Sequence, residues 1–327
     1  HGWRLERALF CVDVRTPDRT TGGDGGLGPG MSRPLVAARS PTDPDYLLRH
    51  GNFSMISPIR QITIAQALQQ TRPNIAATDA RMLLQNVLNV SHAHLIAHPN
   101  QELAPEQAQN FYSLASRRVN GEPIAYLVGE REFYSLNFKV TPAVLIPRPE
   151  TELLVDLALE RISADCPYKV LDLGTGSGAI AITIAKHRPL ASITAVDSSV
   201  DAIAVARVNA RHLDATNVHM VAGDWFNRVA GEEFDLIVSN PPYVADGDSH
   251  LDQGDLRFEP RTALTAGGDG LDCIRRIITS AAGHLAAGGW LLLEHGYDQA
   301  EACCRLLGEA GFDDVFSRSD LAGVMRA

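Results

Sequence analysis

No apolar run in this chain of 327 residues approaches the ~20 residues of a membrane span, which argues against a helical integral membrane protein. Cysteine is scarce: Cys11, Cys166, Cys273, Cys303 and Cys304 form no CxxC pair and no metal-ligand spacing, so no metal site is expected. Cys303 and Cys304 fall in a helical pattern as core thiols, and a reducing cytoplasm is the expected compartment. A basic excess is lacking too. The 29 Lys and Arg face 39 Asp and Glu, and a net charge of -10 argues against a partner held mainly through phosphates. Direct nucleic-acid binding is therefore not expected. What is present is an ordinary globular composition, 45% hydrophobic, with length for two domains and no internal repeat.

Residues 1–54 differ in character from the rest of the chain. Thr16 to Pro34 is rich in Gly, Thr and Asp, without apolar periodicity, and cannot bury enough surface to offset the entropy of ordering it. With Met31 and Met55 downstream of a first residue that is not Met, this stretch reads as a disordered or non-native extension. Residues 55–121 turn helical. Ala80, Leu83, Leu84, Val87 and Leu88 follow i, i+3, i+4 spacing behind the candidate caps Thr78 and Asp79. Pro105 opens a second such run that Gly121 stops, which makes a small all-α bundle. His92, His94 and His98 lie there with no carboxylate or thiol to complete a metal set. Residues 122–147 read as a β-hairpin linker turning around Ser135-Leu136-Asn137. From 148 to 327 strand and helix alternate, which means a mostly parallel sheet with helices on both faces. Glu150 and Glu152 open the first of these helices. A catalytic acid pair is one reading, and stabilisation of the helix's positive end is the preferred one.

The chain is organised around Asn240-Pro241-Pro242-Tyr243. Phe234 to Val238 reads as a buried strand, and two prolines then stop the ladder because neither can donate an N–H. The backbone turns out at the strand's carboxyl end, where open α/β sheets place their ligands. The Asn240 amide, the Pro241 carbonyl and the Tyr243 ring suit a planar NH2 group. The competing reading is an ordinary Asn-Pro turn.

A glycine loop, Gly174-Thr175-Gly176-Ser177-Gly178, leaves one strand and enters a helix, a geometry that favours close approach of an anionic or polar ligand. Asp197 ends the next strand about twenty residues on, where an acid can take two ribose hydroxyls. A loose dinucleotide pattern, Gly174-x-Gly176-x-x-Ala179, keeps NAD and S-adenosylmethionine in competition. Two details separate them. Asp172 can neutralise a ligand ammonium, and Asp224-Trp225 ends the third strand where a ring could stack on adenine or simply pack in the core.

With these residues in view, Asp172 to Gly178 resembles the first motif of class I methyltransferases, whose fold is Rossmann-like. Asn240 to Tyr243 resembles the motif of those that methylate planar NH2 groups. Gly121 to Leu127, Gly129 to Phe133, Leu145 to Glu152, Arg257 to Pro260 and Leu292 to Gly296 narrow the resemblance. The chain resembles the bacterial peptide chain release factor glutamine N5-methyltransferases, the PrmC/HemK family, over roughly residues 55 to 320. The resemblance implies that Gly174 to Gly178, Asp197, Trp225 and Asn240 bind S-adenosylmethionine, leaving S-adenosylhomocysteine as product. It implies that Asn240, Pro241, Pro242 and Tyr243 hold the glutamine of the Gly-Gly-Gln motif of class 1 release factors. It implies also that the helical bundle and hairpin seat that protein partner.

Family members do not need the N-terminal extension, and they usually end in a longer strand than Val324 to Ala327 allows. Nothing in the sequence demands more than a monomer. A DNA or RNA adenine N6-methyltransferase is the chemical alternative, though it wants a basic groove and a base-reading module. An NAD-dependent oxidoreductase would leave Asn240 to Tyr243 without a role.

Overall fold

The computed structural model describes residues 5–6, 8–11 and 62–318. The chain divides into two compact units, residues 15–128 and residues 129–327 joined by residues 1–14. Two strands stand at the start, β1 (Leu5–Glu6) and β2 (Ala8–Cys11).

In the unit of residues 15–128, β3 (Ile62–Thr63) leads into α1 (Ile64–Thr71). Thr63 and Gln66 cap that helix reciprocally, each side chain accepting the other's backbone N–H at 3.3 and 3.0 Å. Next come α2 (Ala77–Leu88), α3 (His92–Ala97), β4 (Glu102–Leu103), α4 (Pro105–Val119) and α5 (Ile124–Val128). β3 and β4 pair antiparallel.

The expected caps of α2 are not caps. Ala76 holds that position without a side-chain bond, and Thr78 and Asp79 sit inside the first turn. Asp79 is instead drawn to the Arg118 guanidinium of α4 at 2.7 Å, a tertiary pair that sequence spacing does not reveal. His94 stacks on His98 with ring centroids 4.4 Å apart and bonds Gln101 at 2.8 Å.

Ile64, Leu83, Leu84 and Phe111 are wholly buried at the centre of this unit. Phe111→Ala is expected to cost about 3–5 kcal/mol through lost transfer and cavity formation. Hydrogen exchange would report this as earlier opening of the unit's helices.

The larger unit begins with a hairpin, β5 (Glu130–Phe133) and β6 (Leu136–Lys139). Its turn is Tyr134-Ser135, both at positive φ (51° and 61°), one residue earlier than the sequence suggested. Such two-residue turns match the strand twist but usually carry Asn or Gly. Here side-chain bonds, two of them tertiary, hold the geometry: Tyr134 N–H reaches Glu152, its hydroxyl reaches Asp156 at 2.6 Å, and Ser135 N–H reaches the local Glu132.

Then follow α6 (Glu152–Arg161), β7 (Lys169–Leu173), α7 (Ala179–His187), β8 (Ser192–Asp197), α8 (Val200–His212) and β9 (Val218–Ala222). They are succeeded by β10 (Phe234–Ser239), α9 (Asp272–Ala281), β11 (Leu285–Glu294), α10 (Ala300–Glu309), β12 (Phe312–Asp313) and β13 (Phe316–Ser317). Among the described residues one sheet runs β13-β2-β11-β10-β7-β8-β9, with every pairing parallel. The order reverses between β7 and β10. The chain proceeds outward in opposite directions from that point, the arrangement that leaves a crevice at the strands' carboxyl ends.

Of the stretch expected as a disordered or non-native extension, only β1 and β2 are described. They are strands, β1 pairing with β12 and β2 lying between β11 and β13. An unpaired β11 edge would leave a row of backbone donors and acceptors open, and the short apolar run Ala8 to Cys11 satisfies it. Thr16 to Pro34 and residues 319–327 lie outside the described residues. No helix among those described is long and apolar enough to cross a membrane.

Candidate active site

The register of three neighbouring strands brings the chemistry together. Ser239 of β10 pairs with Leu173 of β7 on one side and Leu293 of β11 on the other, so Asn240 leaves the sheet between Gly174 and Glu294. Ser239 Oγ donates to the Leu173 carbonyl at 2.7 Å and fixes that alignment. Gly174 has φ +72°. A side chain there would stand 3.9 Å from the Asn240 carbonyl oxygen and 3.9 Å from the Trp225 ring. Glycine loop, strand exit and indole thus converge on one space that the missing Cβ keeps open. Trp225 itself sits at φ +47°, a conformation costly for a bulky residue and typical of functional corners.

Two carboxyls border the glycine loop. Asp172 is fully buried, and one of its oxygens accepts the Thr175 hydroxyl at 2.6 Å. The other, Oδ1, makes no hydrogen bond of normal geometry. Burial pushes this carboxyl up to about 7 against the pull of Thr175 and of a backbone N–H, with the Asp197 charge adding to the rise. Asp197 accepts the Gly176 N–H and the Ser199 N–H, each at 2.8 Å, one on each oxygen. Burial raises it as well, and those two N–H groups offset the effect. Each Asp197 oxygen keeps a lone pair for a ligand hydroxyl. Ser177 is buried, its carbonyl accepting from Asn209 at 2.8 Å, which anchors the loop to α8.

At the exit, Pro241 is buried while Asn240, Pro242 and Tyr243 are half-buried. Asn240 Nδ2 donates to Thr151 Oγ1 at 3.2 Å. The Tyr243 carbonyl accepts from Gln299 Nε2 at 2.9 Å, and Gln299 Oε1 accepts the Gly296 N–H at 2.8 Å. Burial and the Glu294 carboxyl hold the Tyr243 phenol well above its ordinary value.

Behind Tyr243, Gly270 has φ +73°, and a Cβ there would lie 2.2 Å from the Tyr243 carbonyl oxygen. Gly270→Ala therefore combines left-handed strain of roughly 1–2 kcal/mol with a collision against backbone. A lower melting temperature and lost methyl transfer are expected, with cofactor affinity retained. Titration calorimetry beside thermal denaturation checks this.

The remaining residues singled out in the sequence are placed differently. Asp224 caps the short helix of Trp225–Arg228 and forms an ion pair with Arg276. Glu152 accepts the Tyr134 N–H at 2.8 Å and pins the hairpin. His295 is buried and bonds the Gly296 carbonyl through Nδ1, with burial lowering its basicity.

Three features escaped sequence reasoning: the Arg148–Glu259 ion pair, in which Glu259 also accepts the Ile146 N–H at 3.1 Å, the Gln299 bracket, and the buried Glu294. A signal existed for the last, since an acid ends the otherwise apolar run Trp290 to Leu293.

The residues fit a ligand that carries both an ammonium and a ribose. The buried Asp172 Oδ1, without a hydrogen bond of normal geometry, suits the first and the two-sided Asp197 the second, with Trp225 beside them.

Comparisons with known proteins identify the family. Residues 150–269 match the family model "Methyltransferase small domain", and residues 62–129 match "PrmC N-terminal domain". A release factor glutamine methyltransferase of Bordetella pertussis is 51% identical over 255 residues, 78% of this chain and 94% of that protein. Those of Coxiella burnetii and Escherichia coli K12 are 47% and 48% identical, over 76% and 72% of this chain and 89% and 85% of theirs. About half identical to such proteins over 72–78% of its own length and 85–94% of theirs, the chain belongs to the release factor glutamine methyltransferases.

Proposed function

We propose that the chain transfers a methyl group from S-adenosylmethionine to the side-chain amide nitrogen of the glutamine in the Gly-Gly-Gln motif of class 1 release factors. When bound, S-adenosylmethionine supplies a methyl already activated by a sulfonium. The protein's task is then to position and polarise the acceptor. Asp172 meets the ammonium, Asp197 the ribose hydroxyls, and Trp225 the adenine, with the Gly174 to Gly178 backbone curved around them.

Asn240 Oδ1 and the Pro241 carbonyl each accept one N–H of the glutamine amide. That favours a more tetrahedral nitrogen with its lone pair aimed at the methyl. Charge growing on the nitrogen strengthens both bonds in the transition state, which is the difference that accelerates the step. Pro242 and Tyr243 wall the amide and exclude water. No base is needed before transfer, because the methylated amide then sheds its proton to solvent readily.

The helical unit and the hairpin serve to seat the release factor, and the enzyme works as a monomer in the cytoplasm. The observation that supports this reading most is that a Cβ on Gly174 would stand 3.9 Å from both the Trp225 ring and the Asn240 carbonyl oxygen. The test is labelled S-adenosylmethionine incubated with release factor, with its Gly-Gly-Ala variant, and with duplex DNA. Label in release factor alone is expected, and label in DNA or in the variant would overturn the assignment.

A further inference from the structure

Glu294 ends β11 with no exposed surface, and neither of its oxygens makes a hydrogen bond of normal geometry. A buried carboxyl in that state is costly unless its neighbours are arranged for it. Thr151 and Asn240 are among those neighbours and, with the Arg148 charge, offset its burial. Thr151 is 4% exposed, and its Oγ1 already receives Asn240 Nδ2 at 3.2 Å. Two buried side chains and the half-buried Asn240 therefore gather from three separated segments: Glu294 from β11, Asn240 from the exit of β10, and Thr151 from the turn before α6.

The chemistry of these groups gives the arrangement a direction. A hydroxyl donates once and accepts through its lone pairs, whereas an ionised carboxyl only accepts. Were the Thr151 O–H to turn toward an ionised Glu294, its lone pairs would be left facing Asn240. Asn240 must then present its NH2 inward, which leaves Oδ1 on the side of the reacting amide. If the inner end could donate, the sequence of bonds could reverse. Asn240 would then turn its NH2 toward the substrate's own NH2, donor against donor, and the acceptor on which nitrogen activation depends would be gone.

We infer that Thr151 and Glu294 are positioning residues that set which end of the Asn240 carboxamide faces the substrate glutamine. This rests on the methyl-transfer reading above and deepens it, giving the buried acid a part in the reaction without contact to either ligand. The groups around Glu294 also bear on its charge. Burial above all, with Glu150, holds the Glu294 carboxyl well above the usual carboxylate range against the pull of Thr151, Arg148 and Asn240, and Tyr243 faces it from the exit. Turnover at saturating cofactor is therefore expected to rise with pH as Glu294 ionises.

The test uses the full chain and release factor, with kcat, KM, cofactor affinity and melting temperature measured for four proteins. Thr151→Val removes the hydroxyl at nearly constant volume and is expected to lower kcat roughly tenfold or more, with cofactor affinity within about threefold of the parent. Thr151→Ser restores the hydroxyl and is expected to turn over within about threefold of the parent. Glu294→Gln keeps the shape but can donate, and should lose the rise of kcat with pH that the parent shows.

Parent-like turnover in Thr151→Val, or an unchanged pH profile in Glu294→Gln, overturns the inference. Should Thr151→Val fail to fold, the Glu294→Gln profile decides alone. A parent that methylates no release factor sinks the broader reading instead, so the two failures are told apart.

Discussion

Asn240→Ala is expected to lower methyl transfer to release factor about 10²–10³-fold, the loss that removing one oriented polar partner of a transition state brings. The effect should fall on kcat, because the bond in question strengthens as charge develops on the acceptor nitrogen. Cofactor affinity should move far less. Asn240 meets the glycine loop through its backbone carbonyl, 3.9 Å from where a side chain on Gly174 would stand, and alanine keeps that carbonyl. Single-turnover rates beside calorimetric cofactor affinity separate the two effects. A variant within tenfold of the parent would remove Asn240 from the mechanism.

The second large effect concerns pH. The Asp172 carboxyl lies at about 7, raised by burial from 3.8. An incoming ammonium needs it ionised. Below pH 7 a proton must leave on binding, and cofactor affinity should fall by up to about tenfold per pH unit, while above pH 7 it should level off. Asp172→Asn should weaken binding at pH 8 roughly 10²-fold and flatten its pH dependence.

Stability runs the other way. Between 3.8 and about 7 the native state holds a proton that the unfolded chain has released. From this group stability therefore falls as pH rises through that window, and is least above it. Asp172→Asn should accordingly raise the melting temperature of the ligand-free protein at pH 8. A variant that bound cofactor as well as the parent at both pH values would refute the role given to Asp172.

The parts of the site that are contiguous in sequence were readable there. Asn240 to Tyr243 announces itself because two prolines end a strand, and Gly174 to Gly178 because glycines join a strand to a helix. What could not be read is what parallel pairing assembles. Asn240 and Thr151 are 89 residues apart and meet only because β10 lies where α6 begins. Gln299 reaches the Tyr243 carbonyl across 56 residues. Asp224 stands at a strand end beside Trp225, and Arg276, 52 residues on, pairs with its carboxylate.

Local signals failed where tertiary bonds replaced them. The Tyr134-Ser135 turn has neither Gly nor Asn, and its backbone is held by Glu152 and Glu132. β2 was hidden for a related reason, since four apolar residues make a strand only when a sheet edge is there to receive them.

Methyl transfer by this route depends on the Asn240 side-chain oxygen and the Pro241 carbonyl gripping a carboxamide beside the methyl donor. The most direct measurement is a crystal structure of the protein with S-adenosylhomocysteine and a Gly-Gly-Gln peptide. The glutamine nitrogen is expected at roughly 3 Å from both oxygens, facing the sulfur. Both oxygens directed away from that sulfur, with the glutamine held elsewhere, would contradict it.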